Sequence, residues 1–94
     1  MMDKVEAKQV LASELARYRS RSYHDLVALI GHPQVCERRG ASGAEYQIEL
    51  QAVWDNRLAE NVRVIASVDD GGWSAFFPLT ESFLMSPAGT FIED

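Results

Sequence analysis

The chain has 94 residues, a formal net charge of −5 and a single cysteine, Cys36. This length predicts one domain, residues 1–94, and an apolar share of 47% is enough for a packed core. The acidic balance disfavours nucleic acid as a partner, and one cysteine excludes an internal disulfide. The sequence shows neither a signal-peptide core nor an apolar run near the roughly 20 residues that span a bilayer, so we expect no membrane contact and a cytoplasmic protein of bacterial type.

The first predicted element is a helix over residues 3–19. The segment lacks glycine and proline and places Leu11, Leu15 and Tyr18 on one face. Because Lys8 falls within the same apolar stripe, we expect the first two turns to pack loosely.

A second, shorter helix is predicted from its boundary signals. Ser22 and Asp25 have the spacing of a capping box. Gly31 can adopt the left-handed conformation that ends helices, and Pro33 prevents continuation. We expect the apolar residues between these signals to pack on the same core as the first helix.

After Pro33 the apolar period changes from helical to alternating, which indicates strands with one buried face. If the loop between the two clearest strands centres near Leu58, Trp54 lies opposite Val62 and Ile48 lies opposite Val68. The predicted strands are Gln34–Arg39, Glu45–Asp55, Asn61–Asp70 and, after a hairpin turn at Asp70-Gly71 or Gly71-Gly72, Trp73–Phe77.

The tail is expected to hold one helical turn capped by Thr80, a turn over residues 86–89 and a short strand over residues 90–92. Together these elements predict an α+β fold. Two N-terminal helices pack on one face of an antiparallel β-meander of about three to four strands.

The C-terminal quarter carries the one resemblance to known proteins. Its residues are Asp69-Asp70-Gly71-Gly72-Trp73 and the irregular apolar segment from Phe77-Pro78 to Phe91-Ile92. This part of the chain resembles small bacterial proteins that are classed only as a domain of unknown function. The resemblance implies no activity and assigns no functional residue.

Strand parity predicts an apolar patch on the outer face of the sheet, away from the helices. Val53, Ile65 and Phe76 share this face. Phe83 and Met85 of the tail either fold back over the sheet, which we favour, or contribute to an interaction surface. Patches of this kind are more often oligomer contacts, or places covered by a tail, than ligand sites. The leading hypothesis is therefore a non-enzymatic protein-interaction module that forms a homodimer or binds another protein.

A second group of candidates is basic. These arginines flank the helices and the first strand and would form an anion contact if they converge. They are Arg17, Arg19, Arg21, Arg38 and Arg39.

Two alternatives to the interaction module stay open. The first is a small-ligand-binding protein or enzyme with a pocket between helices and sheet, lined by Tyr18, Tyr23, His24 and Trp54. The second is an immunity or antitoxin-like partner of a basic protein, which the acidic charge permits.

Catalytic, cofactor-binding and metal-binding residues are not predicted. His32 and Cys36 are four residues apart, but Pro33 interrupts any shared helical face and further ligands are lacking nearby. Cys36 as a nucleophile would need His24 or His32 beside it in space. The Asp69-Asp70 pair lies in a turn, where aspartate serves backbone geometry.

Overall fold

The computed structural model of the chain describes residues 3–69 and 79–93. Two helices are followed by antiparallel strands that form one five-stranded sheet. The α+β class is confirmed, with five strands where the sequence predicts about three to four. The elements are α1 (Lys4–Arg19), α2 (Tyr23–Val27), β1 (Gln34–Arg39), β2 (Glu45–Trp54), β3 (Val62–Asp69), β4 (Leu79–Met85) and β5 (Phe91–Ile92).

Both helices begin at side-chain caps. A carboxylate oxygen of Asp3 accepts hydrogen bonds from the backbone N–H groups of Val5 and Glu6. Ser22 Oγ accepts from the N–H of Asp25 at 3.1 Å, as the capping-box spacing predicts. Helix α2 ends at Val27, before the predicted stop at Gly31, which has a left-handed φ of +82°.

The strands follow chain order across the sheet, β1-β2-β3-β4-β5. The predicted register of the central hairpin is confirmed, because Trp54 pairs with Val62 and Ile48 pairs with Val68. Inner-face residues of β2 and β3 therefore stay on the helix side along both strands. The predicted strand Trp73–Phe77 and the turn at residues 70–72 lie outside the described residues.

The predicted helical turn after Thr80 is wrong, because β4 occupies this segment. Phe83 pairs with Val64 and Met85 pairs with Val62, so the strand extends the apolar inner face. This burial outweighs the weak local preference for a capped turn. The predicted turn at residues 86–89 is confirmed by a 2.8 Å hydrogen bond from Gly89 N–H to the Ser86 carbonyl.

The core lies between the helices and the inner face of the sheet. Helix α1 contacts β2, β3 and β4, and α2 contacts β2 and β3. The expectation of loose first turns in α1 is wrong, since Ala7 is fully buried and Glu6 nearly so. The large side chains that are fully buried are Tyr46, Leu11, Leu15, Leu26, Ile48, Leu50, Val62, Val64 and Val68.

Candidate functional site

Two buried carboxylates on α1 face the β1 side of the sheet. Glu6 is 9% exposed and Glu14 is 4% exposed, and they flank the apolar stripe of Ala7, Leu11 and Leu15. Buried carboxylates are costly unless donors surround them. Each one does have such donors, and together they form the polar side of the contact between α1 and the sheet.

Glu6 accepts hydrogen bonds from three groups on the sheet side. Ser42 donates its Oγ–H at 2.7 Å and its backbone N–H at 2.8 Å, and Tyr46 donates its hydroxyl at 2.7 Å. These donors, led by the Ser42 hydroxyl, hold the pKa of Glu6 below its usual value. A Cβ at Gly40 would lie 2.5 Å from Glu6 Cδ, so a side chain there would displace the carboxylate from its donors.

Glu14 binds the guanidinium of Arg38 in a bidentate geometry. Arg38 Nε donates to Oε2 at 2.8 Å, and its Nη2 donates to Oε1 at 3.1 Å. Arg17, three residues further along α1, adds a longer contact of 3.3 Å. The hydrogen bonds to Glu14 raise the pKa of Arg38 above its usual value.

Cys36 lies next to this ion pair on the inner face of β1. Burial, reinforced by the negative charge of Glu14, raises the pKa of the Cys36 thiol. The protonated thiol is therefore favoured at neutral pH, which is the opposite of the shift that activates a cysteine nucleophile.

A groove of about 340 Å³ runs between α1, β1 and the turn that follows β1. Glu6 and Glu14 lie in its wall, and each of their carboxylate oxygens already accepts at least one hydrogen bond within the protein. The groove therefore provides space beside the edge of the sheet, and the two carboxylates in its wall already have hydrogen-bond donors. Its lining residues are Glu6, Gln9, Val10, Ser13, Glu14, Arg17, Arg38, Arg39, Gly40 and Ala41.

The groove borders an open edge of the sheet. Among the described residues, β1 is the terminal strand, and all six of its residues pair with β2 on one side only. The hydrogen bond from Gly40 N–H to the Ala44 carbonyl, 2.9 Å long, fixes which backbone groups point towards β2. By antiparallel alternation, the groups of Val35, Glu37 and Arg39 point away from the sheet.

Within the described residues, one contact involves these outward groups: Arg38 Nη1 donates to the Glu37 carbonyl at 3.0 Å. A carbonyl has a second lone pair, so this bond leaves the Glu37 oxygen able to accept another donor. The side chain of Val35 is 58% exposed on the outer face of the same strand. The β1 edge thus combines unpaired backbone groups with an exposed apolar residue.

The five predicted anion-contact arginines do not lie in one cluster. Arg17 and Arg38 converge, but on the Glu14 carboxylate. Arg39 pairs with Glu45 on the outer face of the sheet. The guanidiniums of Arg19 and Arg21 lie over aromatic rings, those of Phe83 and Tyr18 respectively.

The four residues predicted to line a pocket lie in different environments. Tyr18 and Tyr23 pack against the core, and the Tyr23 hydroxyl donates to the Glu60 carbonyl at 2.6 Å. His24 is exposed on α2, and Trp54 is half-buried at the end of β2. The space between helix and sheet opens instead at the α1–β1 groove.

The residues predicted to form an outer surface are divided between the two faces of the sheet. Val53 and Ile65 are half-buried on the outer face. Phe83 and Met85 belong to the core on the inner face, where they are 6% and 3% exposed. Phe76 lies outside the described residues.

Sequence reasoning missed Glu6 and Glu14 as elements of the site. Both lie at helical spacing beside Ala7, Leu11 and Leu15, and their position within that stripe is the signal that could have found them. A charge beside an apolar stripe is usually solvated, and the donors to these two carboxylates lie far away in the sequence, on β1, on β2 and on the turn between these strands.

Across residues 3–69 and 79–93, the structure holds no group of three or more His, Cys, Asp or Glu side chains that could bind a metal ion. In the same residues, neither helix has the length and apolar character needed to cross a membrane. Comparisons with protein-family models, with curated proteins and with solved structures gave no match. The geometry of the α1–β1 region is therefore the basis for a functional proposal.

Proposed function

We propose that this chain is a cytoplasmic, non-enzymatic protein-interaction module that forms a homodimer through the outer edge of β1. The observation that carries the proposal is the six-residue terminal strand whose outward backbone groups face no other strand in the described part of the chain. Such an edge is a template for an added strand. Backbone hydrogen bonds supply affinity in this mode, and alternate side chains supply specificity.

The α1–β1 groove supports this reading of the edge. A strand added beside β1 directs every second side chain to the inner face, where the groove provides about 340 Å³ of space. The carboxylates of Glu6 and Glu14 already bind donors on the sheet side, which supports a structural role for them in holding α1 beside β1. Shape and backbone groups therefore favour a polypeptide as the occupant.

On the opposite side of the sheet, the terminal strand is much shorter. Strand β5 has two residues, which pair with Leu84 and Met85 of β4. Two-residue edge strands offer few backbone groups to a partner, and short edges protect natural sheets from pairing. Of the terminal strands, β1 is the better template.

The experiment that tests the proposal is the mass of the protein in solution over a range of concentrations, for the natural chain and for Glu37→Pro. Proline at residue 37 removes an N–H that points outward, so it blocks edge pairing while the bonds from β1 to β2 remain. We expect the natural chain to dimerise and Glu37→Pro to remain monomeric and folded by circular dichroism. Glu37→Ala is the matched control, because it also removes the carboxylate but keeps the N–H.

A natural chain that stays monomeric to high micromolar concentration contradicts the proposal, as does a Glu37→Pro variant that dimerises as well as Glu37→Ala. If Glu37→Pro unfolds, Arg39→Pro makes the same change at the next outward N–H and decides the question.

A further inference from the structure

We infer that two copies of the chain pair β1 with β1 in antiparallel orientation about Arg38, so that Glu37 of each copy lies opposite Arg39 of the partner subunit. The inference rests on the proposed function and adds to it the register and the charges that select a second copy. It follows from strand parity, from dimer symmetry and from the charges that β1 carries.

The alternation of side chains along β1 determines which residues a partner strand meets at its outer edge. Cys36 and Arg38 share the inner face, whereas Val35, Glu37 and Arg39 share the outer face, because β1 pairs with β2 in a register that keeps equal parity on one face. The backbone groups available to a partner belong to the same outer-face residues. A partner strand must therefore place its own outward residues opposite these.

Dimer symmetry then restricts the register. A two-fold axis perpendicular to the sheet joins two copies into one continuous sheet with their helices on the same side. Residues that lie opposite each other must then both have even numbers or both have odd numbers. The axis therefore lies between one residue of β1 and the same residue of the partner subunit. Axes at Val35, Cys36, Glu37 or Arg38 each pair at least three residues of Gln34–Arg39 with the same strand of the partner subunit.

Charge separates these choices on the outer face. An axis at Glu37 places the two Glu37 carboxylates directly opposite each other, which is destabilising. An axis at Val35 leaves Glu37 and Arg39 with no residue of β1 opposite them, and an axis at Cys36 places Glu37 opposite an apolar residue, Val35. An axis at Arg38 places Glu37 opposite Arg39 of the partner subunit twice, and both pairs are attractive.

An ion pair within each copy lies beside the proposed Glu37–Arg39 pairs on the outer face. Arg39 Nη2 contacts Glu45 Oε1 at 2.9 Å on the neighbouring strand β2. In the dimer, the guanidinium of Arg39 lies between Glu45 and Glu37 of the partner subunit. A guanidinium has enough donors for two carboxylates, and such networks are stronger than isolated surface pairs.

The inner face tolerates the same axis. Arg38 faces Arg38 of the partner subunit, but the bidentate contact with Glu14 offsets each guanidinium charge. The axis at Glu37, by contrast, opposes two carboxylates that form no ion pair among the described residues. The neutralised pair is the less costly one, and it borders the α1–β1 groove, which gives both arginines room.

The test exploits the two-fold symmetry of the charge pairs. Glu37→Arg and Arg39→Glu each turn both pairs into repulsive ones, so each variant alone should dimerise about tenfold more weakly or worse. When the two variants are mixed, the introduced arginine of one copy lies opposite the introduced glutamate of the other, and the remaining natural Arg39 lies opposite the remaining natural Glu37. Both pairs are then attractive, so the heterodimer should bind more tightly than either variant alone, although the introduced glutamate beside Glu45 keeps its affinity below that of the natural chain.

Glu49→Arg is the matched control, since it makes the same charge change on the outer face of β2 away from the edge. It should dimerise as the natural chain does.

The outcomes separate the register from the proposed function. A natural chain that is monomeric ends both proposals. A natural chain that dimerises while Glu37→Arg and Arg39→Glu dimerise equally well overturns the register and leaves the proposed function standing. Two weakened variants that do not complement each other when mixed also overturn the register.

Discussion

Helix α1 contacts the rest of the molecule along two sides that differ in chemistry. On one side Ala7, Leu11 and Leu15 belong to the apolar core beneath β3 and β4. On the other side Glu6 and Glu14 accept hydrogen bonds from β1, from β2 and from the turn between these strands. The first contact excludes water from a broad surface, and the second joins a few atoms at defined distances.

The difference between the two sides indicates what each contributes. Apolar burial is roughly proportional to area and non-directional, so it supplies stability and turns one face of the helix inward without fixing individual atomic distances. Hydrogen bonds to a carboxylate depend on geometry, so the pairs at Glu6 and Glu14 fix where α1 lies relative to β1. This position keeps the groove open beside the sheet edge.

The largest expected effect comes from the apolar side. Leu11→Ala leaves a cavity at a fully buried position and should lower the free energy of unfolding by about 2–5 kcal/mol. Urea unfolding at fixed protein concentration measures the change. Val5→Ala, at an exposed position of the same helix, should change it by less than about 0.5 kcal/mol. Equal effects of the two substitutions would show that α1 does not depend on its apolar stripe.

The second effect comes from the polar side and should be smaller. Glu14→Gln removes the charge that accepts both Arg38 hydrogen bonds and should lower the free energy of unfolding by about 1–2 kcal/mol. Arg17→Ala removes the longer contact at an exposed guanidinium and should cost less than about 0.5 kcal/mol. If Glu14→Gln has no more effect than Arg17→Ala in the same urea titration, the bidentate pair does not anchor the helix.

The same two sides show how far the sequence leads. The apolar side was predictable, because residues such as Leu11 and Val64 repeat with the period of their element, and the Trp54–Val62 register followed from parity. The polar side was not, because the partners of Glu6 lie 36 and 40 positions away, at Ser42 and Tyr46. A period reports the burial of one element, whereas a hydrogen bond between elements depends on their docking.

Strand β4 shows that a local sequence signal can also predict the wrong conformation. Local signals at Thr80 favoured a capped turn, but pairing with β3 decided the conformation. Long-range pairing of this kind leaves only a weak trace in a short irregular segment. The open edge of β1 could likewise not be predicted from the sequence, because the exposure of an edge depends on the order of the strands in the sheet.

The smallest effect at neutral pH, and the most specific one, concerns Glu6. Its donors hold the pKa of this carboxyl below its usual value in the folded protein, so the folded state binds the proton less readily than the unfolded chain does. The stabilisation is complete above the unfolded pKa of about 4.3 and is lost as the pH falls through the lower folded pKa. Glu6→Gln removes this titration, so its stability deficit relative to the natural chain should shrink on acidification.

Urea midpoints between about pH 7 and about pH 3 follow that convergence, because this interval brackets the usual carboxyl pKa. Glu49→Gln makes the same chemical change on the outer face of β2 and measures the generic effect of losing one carboxylate. A Glu6→Gln deficit that stays constant over the interval would mean that the three donors bind a carboxyl and an amide equally well. The polar side of α1 would then act through shape alone, and the contrast with its apolar side would rest on Glu14 and Arg38.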